Sequence, residues 1–200
     1  LRISCSPHGP ASESYRLSQS IVEHLLRRDP AATLIDRALG DGAIPPIDED
    51  YAASQRSLED LSHDGTAAQS EALIRELERA DIVVIATPVH NYTVPAALKT
   101  WIDHIARVRR TFDLSPQGKI ALLHDRPVYI AVSAGGRYSG ERARQPDFLT
   151  PYLKAILGMI GLNDLRFFSV EGTAFGPEAV AEARLKAGRT LDEHSAATAS

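Results

Sequence analysis

The sequence predicts a doubly wound α/β fold, a five-stranded parallel sheet with helices on both faces. Three observations carry the prediction. Strand-like and helical patterns alternate along the chain. The clearest strand, Asp81-Ile82-Val83-Val84-Ile85-Ala86-Thr87, is continuously apolar rather than alternating, as a parallel strand covered on both faces must be. No repeat or linker composition interrupts the pattern, so one domain over residues 1–200 is expected.

Leu1 to Cys5 reads as the first strand. Ser14 to Arg28 carries Leu17, Ile21, Leu25 and Leu26 at helical spacing and stops at Asp29-Pro30. Thr33 to Asp36 reads as a short second strand. Gly40 to Ser62 is polar and acidic, with Pro45-Pro46, and reads as an excursion without core elements. Ala67 to Arg79 is a helix with Leu73, Ile74 and Leu77 on one side, followed by the Asp81–Thr87 strand. Pro95 to Val108 is a helix with proline in its first turn. Arg109 to Arg126 is a second excursion. Pro127 to Ser133 is the fourth strand, Leu149 to Ile160 a helix, Leu165 to Val170 the fifth strand, and Pro177 to His194 the closing helix. Five strands in this alternation fit the flavodoxin-like order 2-1-3-4-5. Its ligand crevice lies beyond the carboxyl ends of strands 1 and 3.

Bulk properties narrow the function. The chain has 200 residues, 44% of them hydrophobic and 24% charged, which is enough for a full core. A net charge of −4 gives no reason to expect nucleic acid. One cysteine excludes an internal disulfide and a cysteine-rich metal site, and the seven histidines show no i, i+4 pairing, so no metal is expected. The chain opens at Leu1 with no visible secretory signal, and no apolar run approaches membrane-spanning length. A soluble cytoplasmic protein with no membrane partner is expected.

Three irregular segments follow strands 1, 3 and 4 and should converge on the crevice. The first, Cys5 to Ser18, is serine-rich and precedes a helix whose N–H groups and dipole suit an anion. Ser6, Ser12 and Ser14 add hydroxyls, and no lysine is present. That composition fits a phosphate held as an anchor rather than transferred, since transfer needs cationic stabilisation. A plain serine cap that binds nothing fits equally well. The second segment, Thr87-Pro88-Val89-His90-Asn91-Tyr92-Thr93-Val94-Pro95, offers backbone groups, an amide and an aromatic to the edge of a flat heterocycle, or forms an ordinary turn with Tyr92 on the core. The third, Ser133-Ala134-Gly135-Gly136, permits close backbone approach. Walker, Rossmann and hydrolase-elbow patterns are absent, and no arginine closes a phosphatase loop after Cys5, which reads as a small buried residue. Together the loops point to a mononucleotide-like ligand at the switch point, without choosing which.

The chain resembles the FMN-dependent NADH:quinone oxidoreductases, or azoreductases, of the flavodoxin-like superfamily. The resemblance spans nearly the whole chain. It rests on S-x-S-x-x-L-S after strand 1, P-V-H-N-Y-T-V-P-A-A-L-K-T-W-I-D, S-A-G-G, T-P-Y-L-K-A-I-L-G-M-I-G-L and V-E-G-T-A-F-G-P-E. It implies FMN phosphate contacts at Ser6, Ser12, Glu13 and Ser14, with Glu13 acting through its N–H. It implies flavin-ring contacts at Val89, His90, Asn91, Tyr92, Ser133, Ala134, Gly135 and Gly136. His90 stands where the family often has tyrosine, and Ala134 where some members carry arginine.

The resemblance also implies a homodimer with each flavin near the interface. Trp101 is then a candidate interface residue, with core burial as the equal alternative. Phe112 and Tyr138 are candidate walls of a substrate pocket, or else exposed loop aromatics. The implied reaction passes hydride from NADH or NADPH to the flavin and then electrons to a quinone or azo compound. The cofactor carries the chemistry, so no protein residue is nominated as catalytic. The rival class is a flavodoxin-like electron carrier or redox-responsive FMN-binding protein. Such carriers are typically shorter and strongly acidic, whereas this chain carries mild charge and two long excursions.

Overall fold

The computed structural model describes residues 1–40, 42–56 and 65–197. The first excursion, Gly40–Ser62, therefore lies partly outside the described residues. The elements run β1 (Arg2–Ser4), α1 (Glu13–Arg28), β2 (Asp36–Ala38), α2 (Glu49–Arg56), α3 (Gly65–Arg79), β3 (Val83–Pro88), α4 (Ala96–Ile105), β4 (Phe112–Ser115), β5 (Gly118–Ala121), β6 (Val128–Ala134), α5 (Leu149–Met159), β7 (Leu165–Glu171) and α6 (Pro177–Ala197), with 3-10 turns at Gly9–Ala11 and Thr173–Phe175.

The main sheet has five strands, all parallel, in the order β2-β1-β3-β6-β7. The expected order 2-1-3-4-5 requires correction to 2-1-3-6-7. The difference arises because the Arg109–Arg126 excursion holds an antiparallel hairpin, β4-β5, outside the main sheet. Its strands are short and largely solvent-facing, with Leu114 and Ile120 exposed, so they lack the buried apolar run that marks the others.

Period-2 alternation divides the core between the two faces. Val83, Ile85, Val128, Ile130 and Val132 face α3, α4 and α5, packing with Leu73, Leu77, Leu98, Ile102, Leu153 and Leu157. Val84, Tyr129, Ala131, Phe168 and Val170 face α1 and α6, packing with Leu17, Ile21, Ala187 and Leu191. Trp101 is 1% exposed, within the first of these clusters. Its indole is therefore core, which settles its two readings in favour of burial.

Two further expectations shift. The second strand is Asp36–Ala38 rather than Thr33–Asp36, and Leu34 and Ile35 stay exposed despite their hydrophobicity. Arg2 decides the register. Its N–H donates to the Ile35 carbonyl at 2.8 Å, and its guanidinium pairs with the Asp36 carboxylate. The excursion after Gly40 contains α2. This helix is polar, but the Asp48 carboxylate accepts the Tyr51 N–H at 3.0 Å at its start, and the Tyr51 hydroxyl donates to the Asp103 carbonyl at 3.0 Å. The His104 ring meets the Pro45 carbonyl at 2.8 Å, so this segment is fastened to α4.

Candidate functional site

The carboxyl ends of β1, β3 and β6, adjacent in the sheet, bring the three segments together. Register places Ser4 beside Ala86 and Pro88 beside Ser133. Cys5 extends β1 by donating its N–H to the Ala86 carbonyl at 2.9 Å. Cys5 itself is fully buried, and burial pushes its thiol pKa up, so it is no nucleophile.

After Cys5 the chain turns through Gly9–Ala11 into α1. Ser12 is the helix cap. Its hydroxyl accepts the Tyr15 N–H at 3.2 Å and donates to the Gly9 carbonyl at 2.9 Å. Ser14 is fully buried, its hydroxyl 3.4 Å from that of Ser12. Ser6 accepts the His8 N–H at 3.2 Å. Among the described residues, the N–H groups of Glu13 and Ser14 meet no protein acceptor. Those two first-turn donors are what the loop offers an anion.

The Glu13 carboxylate is held against α6. Arg184 grips both of its oxygens, at 2.7 and 2.6 Å, and Arg16 adds a contact at 2.9 Å. The Arg184 hydrogen bonds, foremost among several contacts, hold the Glu13 pKa below the ordinary glutamate value. The charge of this side chain is thus offset by two guanidinium groups, and the N–H is what Glu13 has left to offer an anion.

Gly40 shapes this cradle from below. A methyl group at that position would overlap the Ser6 carbonyl, so glycine alone lets the chain after β2 pass against the serine loop.

In the second segment Asn91 and Tyr92 have φ of 49° and 71°, a left-handed turn uncommon for non-glycine residues. The Val89 N–H donates to the Ser133 carbonyl at 2.7 Å, and His90 and Thr93 exchange bonds at 2.9 and 3.0 Å. Those internal bonds use the N–H groups of Val89 and His90, while those of Asn91 and Tyr92, at the turn, meet no acceptor among the described residues. The third segment is fixed to the chain after β7 by the Gly135 and Gly136 carbonyls, which accept the N–H groups of Ala174 and Gly172 at 3.2 and 3.0 Å.

Between these segments opens a cleft of about 360 Å³ lined by Val89, Asn91, Tyr92, Gly135, Gly136 and Gln145. Ser133 and Ala134 are buried at the end of β6 and do not line it; His90 is exposed outside it. Phe112 lies on the β4-β5 hairpin under the Lys119 ammonium, 5.1 Å from its ring centroid, and packs on the core rather than on this cleft. Tyr138 is half-buried just past Gly136. Burial, reinforced by the Glu171 charge, raises its phenol pKa, so it stays protonated.

The chain matches the model of the flavodoxin-like fold over residues 1–195. It is 49% identical over 181 residues to FMN-dependent NADH:quinone oxidoreductase 4 of Pseudomonas fluorescens strain Pf-5, covering 90% of this chain and 87% of that one. The chain belongs to the FMN-dependent NADH:quinone oxidoreductase family. A second member, FMN-dependent NADH:quinone oxidoreductase 5 of Burkholderia lata, is 45% identical over 87% of this chain and 85% of its own. Among solved structures, an FMN-dependent NADH-azoreductase of Bacillus anthracis in complex with FMN superposes with a TM-score of 0.75 at 22% identity, covering all of this chain and 99% of the other. At that identity the likeness is one of fold.

Within this family member, sequence reasoning missed three residues of the site. Gly40 left no signal because the segment it accommodates is distant in sequence. Glu171 fell inside the quoted V-E-G-T-A-F-G-P-E stretch without a role, yet its carboxylate accepts the N–H groups of Tyr138 and Ser139 at 2.8 and 3.1 Å and the hydroxyls of Ser139 and Ser169 at 2.5 and 3.1 Å. It therefore fixes the chain just past the two glycines. Gln145 belongs to no motif and lines the cleft. No cluster of candidate metal ligands exists among the described residues.

Proposed function

We propose that this chain is an FMN-dependent NADH oxidoreductase that reduces quinones or azo compounds, acting as one FMN-binding domain. The observation that carries this reading is the pairing of two unspent N–H groups at a helix start with a glycine-walled cleft at adjacent strand ends, in a chain 49% identical to a quinone oxidoreductase.

The residues present fit the cofactor. The N–H groups of Glu13 and Ser14, with the Ser6 hydroxyl, would hold the phosphate, while Ser12 and Ser14 shape the turn. Asn91, Tyr92, Gly135 and Gly136 would hold the ring, with Val89 beneath. When bound, FMN supplies two-electron transfer between nicotinamide and acceptor. The protein's part is to orient the ring, to leave the cleft open for donor and acceptor in turn, and to point N–H donors where charge builds on reduction. The net reaction takes NADH, one proton and a quinone to NAD⁺ and hydroquinone.

NADH is the donor named for both relatives. A homodimer is part of the proposal. Tyr92, Phe148 and Phe175, and on the hairpin Leu114 and Ile120, are exposed apolar side chains that a second copy would cover. Among the described residues no helix is long and apolar enough to cross a membrane, and we place the enzyme in the cytoplasm, where NADH is made.

Steady-state kinetics test the reaction. With NADH varied at several fixed quinone concentrations, double-reciprocal plots should be parallel, as for two substrates that use one cleft in turn. No NADH turnover with any quinone or azo acceptor would favour the carrier reading. The Glu13–Arg184 contact gives a narrower prediction. Arg184→Ala leaves the Glu13 carboxylate without its bidentate partner and should weaken FMN roughly two- to fivefold at low salt, in the range of an exposed ion pair. Riboflavin, which lacks the phosphate, should bind the variant as it binds the parent. Equal losses for both ligands would remove Glu13 from the phosphate site.

A further inference from the structure

Among the described residues, Gln145 is the one cleft-lining residue not drawn from the three strand-end segments. Its backbone is fixed on both sides. The Arg144 N–H donates to the Arg137 carbonyl at 2.9 Å, closing the loop that leaves Gly136. The Phe148 N–H donates to the Tyr92 carbonyl at 3.2 Å, tying the chain after Gln145 to the other ring loop. Pro146 restricts Gln145 to extended backbone, and the Asp147 carboxylate caps α5 through the N–H groups of Leu149 and Thr150 at 3.0 and 2.9 Å. The residue is therefore carried across the mouth between the two segments proposed to hold the ring.

Its carboxamide rests on Gly136. A methyl group there would overlap the amide oxygen, so the glycine is the seat of this side chain. The residue is half-buried, and among the described residues the carboxamide has no hydrogen-bond partner in the protein. A glutamine held in a cleft by its backbone, with both its donor and its acceptor unspent, is arranged for a ligand that offers an acceptor beside a donor.

We propose that the Gln145 carboxamide binds the pyrimidine edge of the flavin, accepting from N3–H and donating to a neighbouring carbonyl oxygen. The inference rests on the FMN reading above. The pairing has the logic by which an amide reads a base edge through two adjacent hydrogen bonds. It makes Gln145 a determinant of flavin affinity that acts on the ring and is independent of the phosphate.

The test measures the affinity of FMN and of N3-methyl-FMN for the parent, Gln145→Ala and Gln145→Met by quenching of flavin fluorescence, with thermal melts of the FMN-free proteins as the folding check. Gln145→Ala should bind FMN about tenfold more weakly, the loss of paired hydrogen bonds from a partly buried site. The ratio of FMN to riboflavin affinity should not change. N3-methylation should weaken binding to the parent by a similar factor and leave Gln145→Ala nearly unaffected. Gln145→Met, of similar length and without a donor, should behave as Gln145→Ala does and serves if the alanine variant does not fold. An equal N3-methyl penalty in parent and variants, or none in the parent, overturns the proposal. A parent that binds no FMN at all overturns the functional reading instead.

Discussion

Gly40→Ala should weaken FMN binding by roughly ten- to a hundredfold and lower stability by about 1–3 kcal/mol, the usual cost of forcing an extra carbon into a packed contact. The added methyl group meets the backbone carbonyl of Ser6, which cannot swing aside as a side-chain tip would. Relief requires the β2 loop and the serine turn to separate. The serine turn places Ser12 at the helix cap and sets the direction of the Glu13 and Ser14 N–H groups. The loss should therefore be larger for FMN than for riboflavin. Paired titrations with a urea melt check this, and unchanged FMN affinity would show that the turn does not depend on the contact.

Trp101→Ala should cost about 3–5 kcal/mol of stability, the range for emptying a large aromatic from a core. The indole is surrounded by the α3, α4 and α5 side of the sheet and is among the largest fully buried side chains. Urea denaturation should show the loss to the same extent at every protein concentration. A variant that keeps its monomer stability but no longer dimerises would return Trp101 to the interface.

The central strands were legible because they are buried on both faces, and a continuous run such as Val83-Val84-Ile85-Ala86 has no other comfortable setting in a chain of this kind. The second strand was misplaced because Leu34 and Ile35 look like core, while the register is decided by Arg2 and Asp36, a polar pair with no hydrophobic signature. Helix α2 and the hairpin escaped for a related reason. Each is anchored by a few contacts, such as Tyr51 to Asp103, rather than by a periodic apolar face.

The serine turn and the two loops after β3 and β6 are legible in the sequence as candidate chemistry, since each follows a recognisable strand. Which N–H groups they leave available was not. Val89 gives its N–H to Ser133 only because β3 and β6 lie side by side in that register. Gly40, Glu171 and Gln145 act on chain segments far from them in sequence, so no local pattern marks them. His90 and Ala134 carried weight as departures from the family motif, yet the cleft is lined by their neighbours.

The measurement that bears most directly on the central claim is anaerobic. The protein is loaded with FMN, NADH is added, and the visible flavin absorbance is followed until a quinone is introduced. Rapid bleaching by NADH and full recovery on adding one equivalent of quinone is the predicted result. FMN that remains bound but is never bleached by NADH would contradict the reductase and leave an electron carrier or a redox-responsive binding protein in its place.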